Sequence, residues 1–328
     1  MSVTNLLITI HGINPCLEPK DLTEDFKKLF DSMVAQRPML NNLFPSDHRI
    51  YIQWGHPPNE NSKENIFTIG RAQSKILKLL DYDKSERTNN DIKLNNFFPN
   101  NLNVSYILSK LLRENFVLTG LGDAAYYCSE EGENEVRSYI YEIILRKLEE
   151  LKKKNSRIRI HFIGHSLGVA ICHDILFGLS YNGQKYEPGF LKNALGKEDL
   201  LKLFKFWRQE MLSHAKLEAG SFISLASQLP LFIQRKHDIL KKFINEENYK
   251  LDLTDIGISG TQLKWLLFYD LNDLLGFRTR PLYHDPNNIV KEIEVDCGVL
   301  PDSAHLNYFK NPTVIWESAK LLEMNGRD

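Results

Sequence analysis

Between an apolar, β-branched run at Arg157–Ile163 and an apolar helical pattern at Val169–Leu179 lie only five residues, Gly164-His165-Ser166-Leu167-Gly168. A chain that leaves a strand and enters a helix within so few residues must turn sharply, with the serine at the tip. Side chains at positions 164 and 168 would collide with the neighbouring strand and helix, which is why glycine suits both. The turn lifts the Ser166 hydroxyl out of the sheet, and the following helix directs the positive end of its dipole to the same place. A glycine–x–serine–x–glycine match is common by chance; the strand before it and the helix after it give this one weight.

Other short apolar runs followed by polar or glycine-rich corners read as strands at Leu6–Ile10, Arg49–Trp54, Ser221–Ala226, Trp265–Tyr269 and Ile293–Asp296. Helical patterns separate them, clearest at Glu135–Lys154, where Val136, Ile140, Ile143, Ile144 and Leu148 share a face. This alternation predicts an α/β fold, a mostly parallel sheet of about six strands with helices on both faces. The whole of 1–328 reads as one domain with two long insertions, 56–118 and 180–220. Leu200–Leu217 within the second carries Phe204, Phe206, Trp207 and Met211 at helical spacing among basic residues. An insertion here can cap a site or decorate the surface, and Lys202–Lys216 could lie on a membrane or pack against the core.

The charge balance, 41 Lys and Arg against 42 Asp and Glu, leaves no global field to hold a polyanion, so nucleic acid is not an expected partner. Cys16, Cys128, Cys172 and Cys297 lack the spacing of a zinc site or a disulfide framework and suit reduced cytosolic thiols. The start, MSVTNLLITI, lacks the features of a secretory signal, and no run reaches the roughly 18 apolar residues of a membrane span. A cytoplasmic location is expected, with any membrane contact peripheral.

A serine hydroxyl needs a base to become a nucleophile. Of ten histidines, His161 sits mid-strand, His165 inside the turn and His173 early in the following helix, all suited to structural roles. His305, in Asp302-Ser303-Ala304-His305 beyond the last strand, is the expected base. An anion must orient it. Asp270 and Asp273 both follow the strand Trp265–Tyr269; Asp273 is preferred because its extra residues let the loop bend back, while Asp270 suits a turn, and Asp296 is a weaker rival. Backbone N–H groups of Leu167 and Ile13 are the expected oxyanion donors, with Gly12 permitting close approach and His11 bracing the loop.

Placed in this order, His11-Gly12-Ile13, Gln53-Trp54-Gly55-His56, Gly122-Asp123-Ala124-Ala125-Tyr126-Tyr127, Gly164–Gly168 with Asp174-Ile175-Leu176, and Trp265–Pro281 resemble the lipase/esterase branch of the α/β-hydrolases, and within it the intracellular phospholipase A1 enzymes. The likeness covers residues 6–312 in patches and fails in both insertions. It implies a serine hydrolase acting on carboxylic esters, lipid acyl esters foremost, with the triad Ser166, Asp273 and His305 and no metal or organic cofactor. The same constellation would serve a thioesterase or an acyltransferase, and an inactive relative could bind a lipid or a protein instead. The sequence leaves the oligomeric state open.

Overall fold

In the computed structural model, which describes residues 3–12, 23–54, 122–152, 157–180, 198–234, 237–253 and 263–327, six strands form one sheet in which every pairing is parallel. They are β1 (Val3–Ile10), β2 (Arg49–Ile52), β3 (Arg157–His165), β4 (Leu217–Leu225), β5 (Lys264–Tyr269) and β6 (Val290–Glu294), in the spatial order β2-β1-β3-β4-β5-β6. The chain steps outward from β1 to β2, returns to lay β3 on the other side of β1, and then advances one strand at a time. The strand order therefore reverses between β1 and β3, and a crevice is expected at their carboxyl ends.

Contacts divide the chain into two compact units, Met1–Gly12 with Leu22–Ile52 and Arg137–Asp328, and Ile13–Asp21 with Gln53–Val136. The sheet belongs to the first. In the second, a short helix spans Gly122–Cys128, and the Tyr126 hydroxyl donates to Glu135 at 2.5 Å. The insertion 56–118 and residues 181–197 of the other insertion lie outside the described residues.

β3 is buried from Ile158 onward and β4 along its whole length, as strands covered on both faces should be. One face carries Leu7, Ile163, Ile223, Leu225, Leu266 and Phe268. It packs with helix α1 (Thr23–Gln36) through Phe26, Leu29, Phe30 and Met33, and with the C-terminal helix Pro312–Gly326 through Val314, Ala319 and Leu322. The C-terminal helix starts where Asn311 caps it, its side chain accepting the N–H groups of Thr313 and Val314, with Pro312 in the first turn. The alternate residues of the strands, Phe162, Phe222 and Trp265 among them, form a second aromatic layer that reaches His173 of α3 (Leu167–Ser180). Helices α2 (Ser138–Lys152) and α4 (Glu198–Leu212) complete that layer with a Tyr141–Phe204 edge contact.

Two expectations need correction, and one open reading closes. The segment Leu200–Leu217 is a helix, a short turn and the first residue of a core strand. Leu200, Phe204, Trp207 and Met211 are buried, so this stripe packs against the core, while Phe206 is half-buried. β4 begins at Leu217, four residues before the run Ser221–Ala226 that the sequence suggests. Glu218 hides this start, because its charge is matched by Arg159 at 2.5 Å and Arg157 at 3.2 Å. The last strand is Val290–Glu294, not Ile293–Asp296. It is an edge strand, and its Glu292 accepts the backbone N–H groups of Thr279 and Arg280 and the side chain of Arg278. Among the described residues no helix is long and apolar enough to cross a membrane, and the buried Cys172 and Cys297 are thiols outside any disulfide.

Candidate active site

β3 ends at His165 and α3 begins at Leu167, so Ser166 alone makes the turn. It does so at φ +56°, a left-handed conformation that costs a non-glycine residue about 1 kcal/mol or more and is held only where the surroundings fix it. Its N–H donates to Leu225 of β4 at 2.9 Å, and its carbonyl accepts the N–H of Val169 at 3.0 Å. The flanking glycines are required by space. A Cβ at Gly164 would stand 2.8 Å from the backbone of Val169, and one at Gly168 would stand 2.1 Å from the carbonyl oxygen of Ile10. Leu167, the first residue of α3, offers one of the first-turn N–H groups that a helix leaves without an intrahelical acceptor.

The exit of β1 comes equally close. A Cβ at Gly12 would lie 2.4 Å from Ser166 Cβ, so the strand end runs directly past the serine. His11 Nδ1 lies 2.7 Å from the Gly12 carbonyl, to which it donates, bracing that exit. Ile13 lies outside the described residues.

Asp273 sits in the turn after β5 and His305 on α5 (Pro301–Leu306), a short helix after β6. The structure brings them together. His305 Nδ1 lies 2.9 and 3.0 Å from the two carboxylate oxygens of Asp273, and both side chains are nearly inaccessible to water. A carboxylate can only accept, so Nδ1 carries a proton, and in the neutral ring Nε2 is then the nitrogen with the lone pair. Burial alone would raise the Asp273 pKa. The hydrogen bond and charge of His305 outweigh it, with the Leu275 N–H at 2.9 Å and the Tyr308 hydroxyl at 3.1 Å, and the carboxyl is held below its ordinary value. Tyr308 is kept protonated, raised first by burial and then by the Asp273 charge, and its oxygen also accepts the Asp270 N–H at 2.8 Å.

Asp270 does other work. One of its oxygens accepts the Asn272 N–H at 2.7 Å and the other accepts the Cys297 N–H at 2.5 Å, which staples the acid loop to the segment after β6. Asp296 is exposed and accepts the N–H of Gly298. Among the histidines, His161 bonds Asn5 at 3.1 Å, and His173 bonds the Tyr283 hydroxyl at 2.9 Å. His165 is not a bystander. Its Nε2 donates to the backbone carbonyl of His305 at 2.8 Å, and its ring packs against the rings of His305 and Phe309.

One functional group went unrecognised in the sequence. Gln228 is buried just beyond the end of β4, and its side-chain amide donates to Ser166 Oγ at 2.8 Å. The available signal was its place: a polar Ser227-Gln228 pair at the carboxyl end of an apolar parallel strand, where ligand-facing residues gather in such sheets.

The carboxyl ends of β1, β3, β4, β5 and β6 thus lead into Gly12, Ser166, Gln228, Asp273 and His305 in turn. Chemically, this is a hydroxyl in a fixed turn at a helix start, together with an imidazole whose orientation and tautomer are set by a buried anion. Among the described residues no group of His, Cys, Asp and Glu is arranged to hold a metal ion. Comparison with protein-family models, curated proteins and solved structures finds no match to this chain.

Proposed function

We propose that this chain is a serine esterase of the α/β-hydrolase fold, cleaving carboxylic esters through an acyl-enzyme on Ser166, with lipid acyl esters as the preferred class. The observation that carries this is the left-handed Ser166 between β3 and α3, at the same end of the sheet as the buried His305–Asp273 pair. His305 Nε2 takes the serine proton as Oγ attacks the acyl carbonyl, and the carbonyl electron pair moves onto oxygen, opposite the Leu167 N–H. His305 then gives that proton to the departing alcohol. Water, deprotonated by the same nitrogen, releases the acid and restores Ser166. Asp273 stays ionised throughout, in keeping with its lowered pKa.

The lipid preference is supported by the loops that carry the acid and the base. Leu271 is 74% exposed, Val299 85%, and Leu274, Leu300 and Leu306 are more than half exposed. Asn272 Nδ2 donates to the Gly298 carbonyl at 3.1 Å, tying the two loops together. Exposed large apolar side chains concentrated beside a site suit an acyl chain or an aggregated substrate, whereas a small polar ester needs none.

The test is hydrolysis by the purified chain of p-nitrophenyl esters from butyrate to palmitate, of a triglyceride emulsion and of phospholipid vesicles, with Ser166→Ala as control. Ester cleavage that disappears in Ser166→Ala, together with fluorophosphonate labelling of Ser166, is the expected result. Cleavage that survives Ser166→Ala, or no cleavage of any ester, overturns the proposal. Replacing both Leu271 and Val299 with Ser should slow emulsion and vesicle hydrolysis more than butyrate hydrolysis; equal losses remove the lipid preference.

A further inference from the structure

We infer that Gln228 is a fourth working side chain of this site, an N–H donor that fixes the Ser166 oxygen before attack and carries part of its negative charge when the C–O bond to the enzyme forms and breaks. The inference rests on the esterase proposal above.

The placement is specific. Ser166 stands on β3, with β1 on one side and β4 on the other. The β1 side is filled by Gly12 at close approach, and the chain continues from there to Ile13. Gln228 reaches the serine from the β4 side, so its amide and the β1 exit approach Oγ from opposite directions. This makes it a holder of the nucleophile oxygen, separate from a donor on the β1 side.

A serine oxygen has one proton and two lone pairs. With Gln228 Nε2–H occupying a lone pair at 2.8 Å, the hydroxyl proton remains free to point at an acceptor, and the basic nitrogen of His305 is the acceptor the mechanism needs. As that proton leaves, charge grows on Oγ and the amide bond to it becomes charge-assisted, roughly doubling in strength. It weakens once Oγ is an ester oxygen. In the second half of the cycle Oγ is the leaving group, and the donor regains its value until His305 returns the proton. Uniform binding of the ester would gain nothing from this contact, so its effect belongs in kcat.

The backbone around Gln228 is built to hold it. Ala226 lies at φ +54°, like Ser166 a non-glycine residue in the left-handed region, and its N–H donates to Phe268 of β5. The Ser227 carbonyl accepts the Phe277 N–H at 2.9 Å, and the Ser227 hydroxyl accepts from Thr279 Oγ1 at 3.1 Å. Phe277 and Thr279 continue the loop that begins with Asp273. The donor to the nucleophile and the carboxylate that orients the base are therefore anchored to one segment, the preorganisation that such a donor requires.

The experiment compares Gln228→Met, which keeps the volume and loses the donor, with Gln228→Glu, which keeps the shape and replaces the donor with acceptors. kcat and KM on a soluble ester, the rate of fluorophosphonate labelling and the thermal midpoint are measured for each. For Gln228→Met, kcat and the labelling rate should fall together by on the order of 10²-fold while KM stays within about threefold. Gln228→Glu should be slower still, because its carboxylate competes for the serine proton. Gln228→Ala stands in for either variant that fails to fold. If Gln228→Met is labelled at the wild-type rate, or Gln228→Glu is the faster of the two, the amide only fills space and the inference is wrong while the esterase proposal stands. If the wild-type chain is neither labelled nor active on any ester, both fall together.

Discussion

Nε2 of His165 donates to the backbone carbonyl of His305 at 2.8 Å, so the residue next to Ser166 holds the peptide of His305. Neither ring nitrogen of His165 has to titrate for this. Burial, with the repulsion that a second cation beside His305 would meet, holds its pKa down to about 3 and keeps the ring neutral. His165→Phe retains an aromatic ring against His305 and Phe309 but leaves a buried carbonyl without its donor, at a cost of about 1–3 kcal/mol. A small displacement of His305 should also lower kcat by about 10- to 100-fold. Urea unfolding and turnover of a soluble ester check both; a variant with wild-type midpoint and wild-type kcat would show that the bond positions nothing.

His161 is held at about 3 as well, by burial and by the neighbouring Arg159 charge. In the unfolded chain both imidazoles return to about 6.5. Below that value the unfolded state binds protons that the native state refuses, so stability should fall as pH drops from about 6.5 toward 3, by up to about 1.4 kcal/mol per pH unit for each ring. The Asp273 contribution behaves differently. Its lowered pKa makes it fully present above about 3.8, the ordinary value, and lost only at more acid pH. His161→Gln, which can still pair with Asn5, should therefore flatten the dependence between pH 6.5 and 4.5. An unchanged slope over that interval in urea titrations would contradict the burial of a neutral His161.

Ser166→Ala and Ser166→Gly should both abolish turnover by several powers of ten, on the order of 10⁶-fold in a triad enzyme. They should differ in stability. Both lose the hydroxyl that Gln228 contacts, but only glycine adopts φ +56° without penalty. Ser166→Gly should therefore be the more stable of the pair by about 1 kcal/mol. Calorimetry of the two variants side by side isolates the backbone term; equal melting points would mean that the turn relaxes once the hydroxyl is gone.

The sequence carried the sheet because its central strands are long apolar runs and because the glycines flanking Ser166 leave few alternatives to a strand–turn–helix. It carried less of the strand edges, where charge is satisfied by tertiary partners. Glu218 reads as a loop residue until Arg157 and Arg159 are seen beside it. Gly220 reads as a break, yet it occupies a register shift against β3 where a Cβ would meet the His161 and Arg159 side chains. The stripe of α4 could have faced water, lipid or the core, and periodicity alone does not distinguish these. Within the site, the Asp273–His305 contact was legible from position, His305 lying beyond the last strand and Asp273 far enough past β5 for its loop to bend back. Gln228 was not, because a glutamine has no pattern of its own, and its role comes from where β4 ends relative to β3.

The two carboxylates of the acid loop give the sharpest comparison. Asp273 faces His305 with both oxygens and is itself held by the Leu275 N–H and by Tyr308. Asp273→Asn keeps the shape but places an amide where a carboxylate fixed the tautomer, so the imidazole can turn its proton toward Ser166 and cease to be a base. A loss of about 10⁴ in kcat is expected, as for the corresponding change in serine proteases, with KM little altered. Asp270 binds only backbone N–H groups, those of Asn272 and Cys297. In Asp270→Asn one of those two bonds must be given up, because an amide has a single acceptor oxygen. The expected cost is about 1–3 kcal/mol of stability, with a smaller loss of kcat through slackening of the loop. Melting curves and kcat on one good ester, measured for both variants, separate the two roles. If Asp270→Asn proves folded and inactive while Asp273→Asn turns over normally, the orienting carboxylate is Asp270 and the His305–Asp273 contact is only structural.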